Sequence, residues 1–247
     1  MPPLTSALTV LRGADFTGAT DYSAFYEGVA RTQLREWLPR ERSLILDVSG
    51  PDARYAVEAA AAGHRVIHVT QQPGKLAPGV QQVVADPCDV SWVRLGSLDA
   101  VLAEGGSMSS CLAAEDTVAR IGRALRPGGR LMMCVDSLVL GLARLAAQQR
   151  WAELADVPAA DVVLVPTEDG RITRCFWPDE LCGVLDEDGF DVEWIRPRTV
   201  LSPEAVERAL AGGGDALGVL ISTEVLLERE RAGESIGYHL VVSAVRR

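Results

Sequence analysis

Residues 44 to 69, LILDVSGPDARYAVEAAAAGHRVIHV, constrain this chain more than any other stretch. Leu44 to Val48 is a short run of β-type hydrophobics carrying Asp47 near its end. Ser49-Gly50-Pro51-Asp52 is turn chemistry, and the alanine-rich segment after it has helical character up to Gly63. A second hydrophobic run, Arg65 to Val69, follows at once. Strand, tight turn, helix and strand make a unit whose two strands run parallel through a right-handed crossover. In open α/β sheets, ligands sit beyond the carboxyl ends of such strands, where a helix N-terminus offers free N–H groups. The turn at Ser49 to Asp52 is therefore the first candidate binding loop.

The pattern repeats downstream. Gly79 to Val84 predicts a third strand ending at Ala85-Asp86-Pro87, and Ser97 to Glu104 a fourth ending at Gly105-Gly106. Asp116 to Leu125 predicts a helix, Arg126-Pro127-Gly128-Gly129 a turn, and Arg130 to Val135 a fifth strand running into Asp136. After a helical stretch from Leu138 to Leu154, a hairpin is expected around Glu168-Asp169-Gly170, and a helix over Pro178 to Glu187. Asp191 to Arg196 and Tyr238 to Val245 predict two last strands. The expected architecture is an α/β, doubly wound, mostly parallel seven-stranded sheet with an antiparallel terminal strand. The chain reads as a single domain over 1–247. Residues 1–40 are a lead-in and a lid helix (Asp21 to Leu38), and 198–236 a helical excursion before the last strand. Tyr22, Tyr26 and Trp37 are lid aromatics or core; the excursion either covers a substrate entrance or builds a homodimer contact.

A formal net charge of −10 excludes a nucleic-acid face, which needs clustered Lys and Arg to neutralise phosphate. No run of about 20 apolar residues is present, so no membrane partner is expected. The N-terminus shows no secretory signal. The five cysteines are odd in number and scattered, which points to reduced thiols in a cytoplasm and not to a disulfide framework or a metal site. His64, His68 and His239 lack the neighbours of a triad or a metal centre and read as structural.

The ordered set of signals resembles the class I S-adenosylmethionine-dependent methyltransferases. Leu46-Asp47-Val48 is similar to the end of that family's first strand, and Arg54-Tyr55-Ala56 to the start of its first helix. Leu98 to Leu102 resembles its fourth strand, Leu125 to Leu131 its approach to the fifth, and Asp188 to Val192 its junction before the terminal hairpin. The resemblance implies a Rossmann-like methyltransferase fold and S-adenosylmethionine as cofactor. Its implied cofactor-binding residues are Asp47, Ser49, Gly50, Asp52, Thr70, Gln71, Asp86, Pro87 and Gly105, with no metal.

Two departures stand out. The family's turn carries three glycines, and those positions here hold Ser49, Pro51 and Ala53. Glycine serves there because backbone and ligand approach closely or φ is positive. The family's second strand ends on an acid that grips the ribose hydroxyls; here it ends on Thr70, 20 residues after Gly50. Methyl transfer needs alignment of donor, sulfur and acceptor more than it needs particular side chains. Glu104 is the expected polar group at the reaction centre, with Asp136 either orienting substrate or capping the next helix. Two functions stay open: a methyltransferase acting on a small-molecule acceptor, and a methyltransferase-like binding or regulatory protein that has lost its cofactor. A nicotinamide oxidoreductase is ranked last, because the G-x-G-x-x-G fingerprint is absent.

Overall fold

The computed structural model describes residues 21–74, 78–167, 169–230 and 237–247. The expected lead-in over residues 1–20 lies outside these, as does Glu168 of the expected hairpin turn.

Helix α1 (Asp21–Trp37) precedes β1 (Leu44–Asp47), α2 (Arg54–Ala61), β2 (Arg65–Thr70), β3 (Val80–Val84) and β4 (Leu98–Ala103). Then come α3 (Ala114–Ala124), β5 (Leu125–Asp136), α4 (Leu138–Ala147) and α5 (Trp151–Asp156). The two-stranded hairpin β6 (Val163–Pro166) and β7 (Ile172–Cys175) leads to α6 (Pro178–Glu187) and β8 (Phe190–Arg198). Helices α7 (Pro203–Leu210) and α8 (Ala216–Glu230) precede the last strand, β9 (His239–Arg246).

The seven-stranded sheet runs β3-β2-β1-β4-β5-β9-β8. Strands β1 to β5 are parallel, and β9 inserts antiparallel between β5 and β8. This is the expected doubly wound sheet. Its order reverses between β1 and β4, the switch point at which α/β sheets open a crevice for ligands.

Strand alternation sorts the core into two layers. Leu46, Val69, Val101 and Leu131 pack on one face with Val118 and Ile121 of α3 and Leu181 and Leu185 of α6. Ile45, Val66, Ala100 and Met132 pack on the other with Ala56 and Ala59 of α2 and Leu34 and Trp37 of α1. The N-terminal half of α1 belongs to a separate cluster: Tyr22, Phe25, Tyr26 and Val29 meet Val206 of α7 and Val225 of α8. These three helices form a cap, so the lid aromatics are buried core of that cap or, for Trp37, of the sheet. Trp37 Nε1 donates to Ser243 Oγ of β9 at 2.9 Å.

Three expectations change. Arg126 to Gly129 is not a free turn before the fifth strand. Leu98 pairs with Leu125 and Ala100 with Arg130, so these four residues loop out within β5, opposite Asp99. Arg126 Nε donates to Asp99 Oδ1 at 2.6 Å across that irregularity. The helix expected to reach Leu125 ends at Ala124, because Leu125 already pairs as strand. Finally, the thiols are not all reduced: Cys88 and Cys111 form a disulfide with Cα atoms 5.6 Å apart, within the span such a bond requires. They are 23 residues apart in sequence, and only packing of the β3–β4 and β4–α3 connections on one another brings them together.

Candidate functional site

The site is built where β1 and β4 end side by side. Asp47 closes β1, wholly buried, and its neighbours in register are His68 of β2 and Leu102 of β4. A buried carboxylate requires partners. Asp47 Oδ1 accepts from the Ser49 N–H at 3.1 Å and from the Ser49 hydroxyl, and Oδ2 lies 2.8 Å from His68 Nδ1. Since the carboxylate accepts, Nδ1 carries the hydrogen and Nε2 faces inward, with no hydrogen-bond partner among the described residues. Ser49 Oγ in turn accepts from the Glu104 N–H at 2.9 Å, which ties the loop after β1 to the end of β4.

Glu104 is wholly buried, as is Arg198 at the end of β8. The guanidinium grips the carboxylate with both arms: Nη1 to Oε2 at 2.6 Å and Nη2 to Oε1 at 3.0 Å. Arg198 Nε donates to Gln33 Oε1 of α1 at 2.7 Å, and Gln33 Nε2 donates to Glu228 of α8. The Arg198 cation also lies 5.7 Å from the centre of the Tyr26 ring. Burial pushes the Glu228 carboxyl up to about 7, against the opposing pull of Arg198 and Gln33.

Gly105 and Gly106 have φ of +67° and +74°, backbone that favours glycine. A Cβ at Gly105 would lie 3.3 Å from the Ser49 carbonyl oxygen and 3.8 Å from Tyr55 Cε2; one at Gly106 would lie 3.3 Å from Asp136 Oδ1. The two loops at the crevice thus approach closely. The turn before α2 keeps its own special residue in Gly50 at φ +107°, with Pro51 exposed outside it.

The structure brings Asp47, Ser49, Glu104 and Gly105 together. The other expected residues do not join that hydrogen-bonded group. Asp52 is exposed and binds Arg54, accepting from its N–H at 3.0 Å and its Nε at 2.8 Å. Thr70 is buried and turned into its own loop: its hydroxyl donates to the Gln72 carbonyl at 3.0 Å, while Gln71 is exposed. Asp86 is exposed and accepts the Cys88 N–H at 2.9 Å, with Pro87 half-buried between them. Asp136 neither caps the next helix nor stands alone. Ser137 caps α4 by accepting the Leu140 N–H at 3.3 Å, and Asp136 pairs with Arg144 and lies 3.6 Å from His239 Nε2. Desolvation holds the His239 imidazole down at about 4.

Sequence reasoning missed Arg198, Gln33 and Glu228; His68, read as structural, is buried and bonded to Asp47. Arg198 sits 94 residues from Glu104, and no local pattern links them. The available signals were weaker: two acids one helical turn apart, Glu224 and Glu228, flanking the apolar run Val225-Leu226-Leu227, and an Arg at a strand end.

No protein-family model and no curated protein matches the sequence. Solved structures do match in shape. A Burkholderia thailandensis 1,6-didemethyltoxoflavin-N1-methyltransferase, bound to 1,6-didemethyltoxoflavin and S-adenosylhomocysteine, superimposes with a TM-score of 0.56 at 17% identity, over 98% of this chain and 84% of its own. A putative S-adenosylmethionine-dependent methyltransferase from Listeria monocytogenes gives 0.59 at 12% identity, over 90% and 99%. The chain has the class I methyltransferase fold. The cyclase SpnF shares that fold with it too, at a TM-score of 0.54 and 14% identity over 89% of this chain and 81% of that one. At such identities the methyltransferase fold is what is shared, and the chemistry has to come from the site.

Proposed function

We propose that this chain is an S-adenosylmethionine-dependent methyltransferase acting on a small-molecule acceptor. The observation that carries the reading is the tight apposition of the Ser49 loop and the Gly105-Gly106 loop at the sheet's switch point. Close backbone approach survives there although the three family glycines are replaced, because glycine is retained on the opposite loop. Pro51 is exposed to solvent.

In this reading Ser49, Gly50 and Gly105 hold the amino-acid end of the cofactor through backbone groups. Thr70 and Gln71 face the ribose, and Asp86 and Pro87 face the base. When bound, the cofactor supplies an electrophilic methyl group on a sulfonium. The chain's own part is to align and to exclude water. Glu104 does this as an anchor: with both oxygens held by Arg198, it fixes the backbone at the end of β4 beside the reacting atoms. The net charge of −10 supports a metabolite over a nucleic acid. Among the described residues no helix is long and apolar enough to cross a membrane. In this reading the chain is cytoplasmic, and the Cys88–Cys111 bridge forms on oxidation.

Titration calorimetry with S-adenosylmethionine tests the reading. Micromolar binding is expected; no heat at millimolar ligand would overturn it. The second reading, a binding or regulatory protein without cofactor, is favoured by one observation: the Thr70 hydroxyl is spent within its own turn.

A further inference from the structure

Seven buried residues form one hydrogen-bonded series across the ligand edge, passing through the backbone N–H of Glu104 between Ser49 and the Glu104 carboxylate. It runs from His68 of β2 through Asp47, Ser49, Glu104 and Arg198 to Gln33 of α1 and Glu228 of α8. Its first half lies in the sheet, its second in the cap. Arg198 is the link where they join, and it is the one formal cation in the series apart from whatever charge His68 carries. Helix α8 has a second buried attachment nearby: Glu224 accepts from the N–H groups of Val200 and Leu201, just past Thr199, which holds φ at +59°. Helix α8 is thus fastened to the body by polar contacts clustered at the end of β8. Its apolar packing is with α1 and α7, and α1 in turn packs on the sheet through Leu34 and Trp37.

We infer that Arg198 is the positioning residue of this site, coupling the seating of cap helix α8 to the loops that hold the ligand. A ligand that orders the Glu104 backbone stiffens the Arg198 grip and, through Gln33, holds Glu228 and its helix down. By linkage, loosening α8 weakens ligand binding equally. The inference rests on the methyltransferase reading for the identity of the ligand, but not for the coupling itself.

The test compares wild type with Arg198→Lys, Arg198→Met and the paired variant Glu104→Gln/Arg198→Met. The paired variant removes both charges, so it is spared the unpaired buried charge that endangers folding of Arg198→Met. Hydrogen exchange of α8 is measured with and without S-adenosylmethionine, alongside affinity by calorimetry. In the paired variant we expect α8 to exchange at least tenfold faster and affinity to fall at least tenfold. S-adenosylmethionine should slow α8 exchange in wild type and not in the paired variant. Arg198→Lys should recover part of both effects, since one arm of the grip remains. The inference is overturned if a folded paired variant keeps wild-type α8 exchange and affinity, or if Arg198→Lys is no better than Arg198→Met. If wild type binds no S-adenosylmethionine, the methyltransferase reading fails, and α8 exchange in the unliganded variants alone decides the coupling.

Discussion

Reduction of the Cys88–Cys111 bridge offers a sharp test of how the ligand edge is held. The bond closes a loop 23 residues long that contains all of β4 and both glycines of the crevice. Constraining a loop of that length removes on the order of 11 cal/mol/K from the unfolded chain, about 3 kcal/mol at 25 °C. For a domain of this size, 1 kcal/mol shifts the melting midpoint by about 2–4 °C, so reduction should lower it by about 6–12 °C. Thiol counts establish the starting state: of the five cysteines, Cys134, Cys175 and Cys182 are free. Denatured after mild oxidation and without reductant, the chain should show three reactive thiols. In the native state only Cys182 should react quickly, because burial pushes the Cys134 and Cys175 thiols up to about 12. Melting is then followed by circular dichroism with and without dithiothreitol. Five thiols after mild oxidation, or identical midpoints after verified cleavage, would refute the reasoning.

Three further outcomes are expected. Glu228 has its folded value raised from 4.5 to about 7, so the stability it contributes is fully present below pH 4.5 and is lost as pH rises through 7. Glu228→Gln should therefore gain on wild type across that window by on the order of 3 kcal/mol in urea unfolding; a pH-independent difference would count against it. Measuring the difference matters, because His239, lowered to about 4, gives wild type an opposing slope: its contribution is present above 6.5 and lost as pH falls toward 4. Gly105→Ala puts a side chain at φ +67° against the Ser49 carbonyl, and should cost about 1–2 kcal/mol of stability and weaken S-adenosylmethionine binding; unchanged affinity would remove the loop apposition from the argument. Thr70→Asp should tighten binding by about 1 kcal/mol through a charge-assisted hydrogen bond to the ribose, and calorimetry showing no gain would take Thr70 out of the ligand site.

Much of the fold was legible because its signals are local. The run from Leu44 to Val69 encodes a strand, a turn, a helix and a strand in contiguous residues, and each appears within a residue or two of its expected bounds. Pro203 after Ser202 marks the start of α7 as capping chemistry requires, with Ser202 Oγ accepting the Ala205 N–H at 3.3 Å. Arg126 to Gly129 misled, since turn residues look alike in a free loop and in a looped-out strand; only pairing on both sides of the irregularity separates them. The candidate site was legible only at the strand ends. Strand-end residues are named by strand order, and so Asp47, Ser49, Glu104 and Gly105 were within reach.

The sequence by itself determined the succession of strands, turns and helices along the chain and the strand-end loops that flank the crevice, because hydrophobic periodicity and turn chemistry act over a few neighbouring residues. Only tertiary structure decided what fills that crevice's floor. Arg198 meets Glu104, Gln33 meets Glu228, and Cys88 meets Cys111 across 94, 195 and 23 residues of chain. Burial makes each polar or charged group seek a partner, and packing, not sequence proximity, selects which one it finds.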